Sequence, residues 1–271
     1  MSAKALAQEV LDLIKVGRYQ APDGSTIRIG REVEYSVENT ILYTPEKLEA
    51  LRVSSADQSA PEIKVVNGTT QAVAQKMAAE SNSKLALLNF ASARNPGGGF
   101  LTGAKAQEED LCRCSTLYPT LRNQFAYYEA NRKQDSMLYT DHMIYSPSVT
   151  FFKVSGSRPY LPEPFVVDVI TAPAPNSRPY LKRNKKLARL EACFLRRWEN
   201  VLFAAAEQGV RRLLLGAWGC GAFGGDPEMA SQTAKEAINA YGGPFDQIVF
   251  GIPDRGKRSS ANFKVFQRVF G

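Results

Sequence analysis

Hydrophobic positions along the 271-residue chain follow two rhythms. Near the N-terminus Leu6, Val10, Leu11 and Ile14 recur at helical spacing, interrupted by Glu9, Asp12 and Lys15. That pattern predicts an amphipathic surface helix and not a signal peptide. Residues 26–29 and 34–43 read as possible short strands, and Pro45 opens a short helix over PEKLEALRV. From residue 61 the rhythm changes. EIKVVN, KLALLNFAS (84–92), FVVDVIT (165–171) and RLLLGAW (212–218) are near-continuous apolar strands, and QIVFGIP closes the sheet. Helical stretches fall between them, near 70–80, 106–118, 185–208 and 226–241.

Strands alternating with helices predict an α/β fold, with a mixed or parallel sheet flanked by helices on both faces. In such sheets ligands bind beyond the carboxyl ends of the strands. Two glycine-rich loops and the VITAPAPN segment all follow strands, so topology alone brings them to one edge.

Composition narrows the chemistry. An apolar content of 44% with 23% charged residues is globular, and the length allows one large domain or two small ones. No apolar run approaches the ~18 residues needed to cross a bilayer. His142 is the one histidine, which excludes histidine-rich zinc sites and HExxH proteases and leaves any Ser-His-Asp triad dependent on it; in YTDHMIY it reads as structural. Cys112, Cys114, Cys193 and Cys220 form no CxxC pair, so no metal site is expected. Free thiols suit a reducing compartment, and a cytoplasmic protein is expected. The net charge of +7 is a weak signal for a polyanionic partner. Its densest source, RPYLKRNKKLARLEACFLRR (178–197), reads as a helix whose cations are either solvated or contact phosphate.

Two segments carry candidate chemistry. In NFASARNPGGGFLTGAKAQEEDLCRCSTLY (89–118), Gly97, Gly98 and Gly99 remove three side chains in a row between a buried strand and a helix. Backbone without Cβ can approach a ligand closely. Neither a GxGxxG fingerprint nor a phosphate-binding GxxxxGKS loop is present, so no nucleotide cofactor of those kinds is expected. Glu108 and Glu109 then open the helix, where acidic residues also serve simply to stabilise an N-terminus. In GAWGCGAFGGDPEM (216–229), five glycines lie between a strand and a helix that starts at Asp226-Pro227. Such backbone amides suit a diphosphate. Cys220 reads as a buried filler, Phe223 as loop core or a face for a sugar or base, and Asp168 as structural or ligand-binding.

Gly97-Gly98-Gly99, seven intervening residues and Gln107-Glu108-Glu109 together resemble the signature of the poly(ADP-ribose) glycohydrolases. The compact length and the GAWGCGAFGGDP loop resemble its bacterial-type branch. The resemblance covers roughly residues 60–255 and implies a macrodomain-like catalytic core over 61–271, a single structural unit. Residues 1–60 would be a helical extension packed on it. It implies hydrolysis of the ribose–ribose O-glycosidic bond of poly(ADP-ribose), releasing ADP-ribose, without cofactor or metal.

By similarity Glu109 would be the catalytic acid, and Glu108 would hold ribose hydroxyls. Asn95 would contact the distal ribose, and Gly97, Gly98 and Gly99 would form the catalytic loop beside Gln107. Gly219, Cys220, Gly221, Ala222, Phe223 and Gly224 would cover the diphosphate, with Phe223 on the distal ribose and Phe250 towards adenine. A water-poor site beside an anionic diphosphate would raise the pKa of Glu109, as a general acid requires. The implied partners are ADP-ribose, its polymer and poly-ADP-ribosylated proteins, met by a monomer without membrane or sequence-specific nucleic-acid binding. The implied setting is the reversal of ADP-ribosylation, including the DNA damage response. A macrodomain that only reads ADP-ribose, a hydrolase of single ADP-ribose units and a nucleic-acid-binding protein are the rivals; a reader has no need of the Gln-Glu-Glu triplet.

Overall fold

The computed structural model describes residues 1–52, 59–155 and 159–271. In chain order its elements are α1 (Ala3–Val16), β1 (Arg18–Gln20), β2 (Thr26–Arg28), α2 (Gly30–Glu38), β3 (Ile41–Tyr43), α3 (Pro45–Ala50), β4 (Glu62–Val66), α4 (Thr70–Glu80) and β5 (Leu85–Phe90). There follow α5 (Gln107–Cys114), α6 (Leu117–Arg122), α7 (Phe125–Arg132), β6 (Met143–Phe151), β7 (Phe165–Ala172), α8 (Ser177–Asn184) and α9 (Leu187–Glu207). The last four are β8 (Arg212–Leu215), α10 (Pro227–Tyr241), β9 (Gln247–Gly251) and α11 (Gly256–Phe270).

Seven strands form one mixed sheet in the order β3-β6-β7-β5-β8-β9-β4. From β7 to β4 every pairing is parallel, while β6 runs antiparallel to β7 and to β3. Alternate side chains of β5 enter opposite cores: Ala86 and Leu88 join the one beneath α9 and α10, Leu85 and Leu87 the one beneath α1, α4 and α5. Both faces are therefore covered, which is why the strands are apolar throughout. The last strand in sequence, β9, lies inside the sheet, and the edge is β4.

The sequence pattern misleads in four places. Residues 34–43 form α2 and the short strand β3. The less exposed positions 33, 36, 37 and 40 follow helical spacing, and Tyr35, which made the alternation strand-like, points outward. The helix foreseen over 106–118 breaks at Ser115, whose extended backbone bridges to Phe151. The basic helix breaks at Lys185, held left-handed at φ 51°, which separates α8 from α9. Finally, β3 lies within the foreseen extension yet gives the main sheet an outer strand. Val53, at the end of the helix expected after Pro45, lies outside the described residues.

The helix α1 is tied to the core by its own chemistry. Ser2 Oγ caps its start, and Gly17 in left-handed conformation ends it. Glu9 accepts from Lys153 Nζ at 3.1 Å and from Tyr160 Oη, and the Lys153 ammonium also sits over the Tyr160 ring. This polar knot buries Lys153 beneath α1.

Candidate active site

All the parallel strands end at the same edge, and a cleft of about 1540 Å³ opens there. Its walls come from the segments following β4 (Thr69 to Gln71), β5 (Ala91 to Asn95), β7 (Ala174), β8 (Ala217, Gly219, Gly221, Ala222, Phe223) and β9 (Ile252, Pro253). Met1, before α1, and Ala3 and Leu6, at its start, add to them. The position is the one that α/β topology dictates.

Glu108 and Glu109 project into this cleft from the first turn of α5, and both are buried. Glu109 is held by two backbone donors. Gly99 N–H donates to Oε1 at 2.8 Å and Ala106 N–H to Oε2 at 2.9 Å. The second bond caps α5, because Ala106 has no capping side chain of its own. Glu108 accepts from Ser92 N–H at 2.7 Å and from Asn89 Nδ2 at 3.2 Å. Burial pushes the Glu108 carboxyl up to about 8, against the two hydrogen bonds that favour its charge; the neighbouring Glu109 adds to the rise. Glu108 therefore holds its proton at neutral pH.

The triple glycine is shaped around these carboxylates. Gly98 lies at φ 59°, and a Cβ there would overlap Glu109 Oε1 and stand 3.0 Å from Glu108 Oε2. Gly97 faces the other way: a Cβ would press on Tyr118 and Cys112, so this glycine serves packing and does not line the cleft. Gly98 and Gly99 are the two that line it.

A family model for the catalytic domain of microbial-type PARG matches residues 7–154, more than half of the chain. The chain belongs to the microbial-type poly(ADP-ribose) glycohydrolase family. Among solved structures, poly(ADP-ribose) glycohydrolase from Thermomonospora curvata is 38% identical over 99% of each chain, with a TM-score of 0.93. The same enzyme bound to the inhibitor ADP-HPD matches at 38% identity and a TM-score of 0.89 over 98% of each chain. Poly(ADP-ribose) glycohydrolase from Deinococcus radiodurans in complex with ADP-ribose is 40% identical, covering 88% of this chain and 96% of its own, with a TM-score of 0.82. No curated protein matches the chain in sequence. The fold is thus macrodomain-like and the family is one of glycosidases, as the resemblance implied.

Within this glycohydrolase fold the other candidate residues divide. Asn95 is exposed and lines the cleft, as do Gly219, Gly221, Ala222 and Phe223. Gly221 has open space where a Cβ would stand. Phe223 is half-buried, 6.2 Å between ring centroids from Tyr139. Gln107 lines the cleft but its amide is engaged elsewhere. Oε1 accepts from Phe90 N–H at 2.8 Å, and Nε2 donates to Leu88 O at 2.9 Å and Thr70 Oγ1 at 3.2 Å. It clamps the end of β5, which launches the glycine loop.

Besides Gly97, three expected site residues stand away from the cleft. Phe250 is fully buried, stacked on Phe270 and edge-on to Trp198, so it is core, and the next residues Gly251, Ile252 and Pro253 line the cleft instead. Cys220 is buried, its thiol pushed up to about 12 by burial, which fits the filler reading. Gly224 sits behind the loop, where a Cβ would meet the Arg178 guanidinium. Asp168 lies apart from the cleft, bound to Tyr145 Oη, Ser148 N–H and Lys84 Nζ, a structural role. His142 pairs with Thr140 Oγ1, also outside the cleft.

The sequence reading missed Asn89 and Arg197. Asn89 is fully buried within β5 and donates to both Glu108 Oε1 and Thr171 Oγ1. A polar amide in the apolar run KLALLNFAS was the available signal. Arg197, counted among cations either solvated or in contact with phosphate, is wholly buried and braces the Pro173 and Leu138 carbonyls and Asp141. Among the described residues no group of three or more His, Cys, Asp or Glu side chains could hold a metal ion, and no helix is long and apolar enough to cross a membrane.

Proposed function

We propose that Glu109 is the general acid and base in hydrolysis of the ribose–ribose O-glycosidic bond of poly(ADP-ribose), releasing ADP-ribose. The observation that carries this is the fixed pair at the α5 N-terminus: Glu109 pinned by Gly99 and Ala106, beside Glu108, whose proton is retained near neutrality. In the reaction the carboxylic proton of Glu109 passes to the leaving ribose oxygen as the bond to the anomeric carbon breaks. The oxocarbenium-like ribose then takes up water, whose proton returns to the Glu109 carboxylate. Glu108 holds hydroxyls of the ribose at the scissile bond, and Asn95 and Phe223 contact that ribose. The loop from Gly219 to Phe223 presents backbone to the diphosphate.

The substrate is polymer carried on poly-ADP-ribosylated proteins, and the enzyme works as a monomer in a reducing cytoplasm, a setting in keeping with its four free cysteines. The test is incubation with purified poly(ADP-ribose) and chromatography of the products. Free ADP-ribose is the expected outcome; polymer unchanged after prolonged incubation would leave a reader of ADP-ribose.

A further inference from the structure

Between Asp168 and Glu191 the chain has no acidic residue, and this interval holds Arg178, Lys182, Arg183, Lys185, Lys186 and Arg189. All six are exposed on α8, the turn after it and the start of α9, and none enters an ion pair among the described residues. The ridge adjoins the cleft directly. Arg178 N–H donates to Phe223 O at 3.0 Å, and the Arg178 guanidinium lies against Gly224, so α8 begins behind the loop assigned to the diphosphate.

A second cavity, of about 210 Å³, stands where the ridge meets the cleft. Tyr139 lines both cavities, its backbone held left-handed at φ 60°, a conformation that non-glycine residues adopt at a cost. Arg189 and Arg196 line the smaller cavity together with the polar side chains of Gln134 and Ser136. Asp141 holds Arg196 by two hydrogen bonds, at 2.7 and 3.2 Å, and so fixes one cation while Arg189 stays unpaired. A cavity with two guanidinium groups, next to a cleft that takes a diphosphate, suits another phosphate group.

We propose that the ridge and the small cavity form an outer subsite for the diphosphate of the next ADP-ribose unit of the polymer. The inference rests on the reading of the cleft as the polymer-cleaving site. Each ADP-ribose unit brings two phosphates, so a second contact engages the polymer at two points and raises its local concentration at the cleft. Long polymer then gains affinity that free ADP-ribose does not.

The test compares the wild type with the variant Lys182→Gln/Lys186→Gln/Arg189→Gln, whose sites are exposed. Three quantities are measured: ADP-ribose affinity by calorimetry, equilibrium binding of long poly(ADP-ribose), and kcat and KM on that polymer at several salt concentrations. Expected are unchanged ADP-ribose affinity and kcat, with polymer binding and KM weakened about tenfold. The slope of log(kcat/KM) against log salt should flatten by ~1.4, the scale for two phosphates no longer neutralised on a flexible polyanion. Wild-type polymer binding and salt slope in the folded variant would overturn the subsite. A loss of single-stranded DNA binding with polymer binding intact would also overturn it and assign the ridge to nucleic acid. If the wild type binds polymer but leaves it intact, the catalytic reading fails, and the binding comparison still decides the subsite.

Discussion

Gly99 N–H donates to Glu109 Oε1 at 2.8 Å, so the glycine loop and the carboxylate hold each other in place. The neighbouring Gly98 is required for a different reason: its missing Cβ is what leaves room for that oxygen. A valine at 98 would displace the Glu109 carboxylate and strain a backbone at φ 59°. Turnover of Gly98→Val should fall by ~100-fold or more, the scale of losing a general acid. Gly221→Val faces open space, so its folding stability should match the wild type while ADP-ribose affinity falls. Thermal melts with calorimetry on both variants check the contrast; equal behaviour of the two would contradict it.

The raised pKa of Glu108 makes stability depend on pH. The folded protein binds a proton on this carboxyl up to about 8, whereas the unfolded chain releases it near 4.5. Between those values the folded state holds more protons, so stability falls as pH rises, with a slope approaching ~1.4 kcal/mol per pH unit from this group. That contribution is fully present below the unfolded value and is lost by the time pH passes the folded one. Glu108→Gln, which cannot ionise, should flatten the slope between pH 5 and pH 8. Denaturant titrations of both proteins across that range measure it, and parallel slopes would show that Glu108 is ionised in the folded state.

Gln107→Ala should behave as a structural lesion and not as a lost substrate contact. It leaves Phe90 N–H and Leu88 O without the amide that now satisfies them. Stability should drop by about 2 kcal/mol, on the scale of unsatisfied buried polar groups. Turnover should fall through displacement of the loop after β5, with a similar loss in ADP-ribose affinity. A variant with normal melting and selectively weakened binding would make Gln107 a ligand contact after all.

The edge of the sheet and the two glycine loops were legible because continuous apolar strands, each followed by glycines, leave few ways to fold. The Gln-Glu-Glu triplet stood out for the same reason, as charge arriving where a buried strand has just ended. What stayed hidden depends on contacts distant in sequence. Phe250 looks like a strand-end aromatic, and only the packing of α11 shows that Phe270 and Phe266 cover it. Arg197 looks like one more cation on a basic helix until Asp141 and two loop carbonyls surround it. The strand β6 carries Pro147 and a register shift between Ser146 and Val149, which disguised its period. The split of the acidic pair was also invisible: adjacent glutamates at one helix start differ because Glu108 meets Asn89 and Ser92 while Glu109 meets the loop and the cap.

Glu109→Gln separates catalysis from capping. A glutamine keeps the size of the side chain but offers one acceptor oxygen where the carboxylate offers two. It can accept from Gly99 N–H or from Ala106 N–H, and its amide nitrogen then faces the other donor. A stability loss of ~1–2 kcal/mol is therefore expected whether or not Glu109 is catalytic, and melting alone decides nothing. Turnover decides. If Glu109 delivers the proton, the variant should lose at least ~100-fold in kcat on poly(ADP-ribose). ADP-ribose affinity should change far less, because the lost interaction belongs to the transition state. Both are measured below the melting range of the variant. Near-normal turnover in the folded protein would leave Glu109 as a cap alone, and a parallel loss of affinity and turnover would make it a ligand-positioning group.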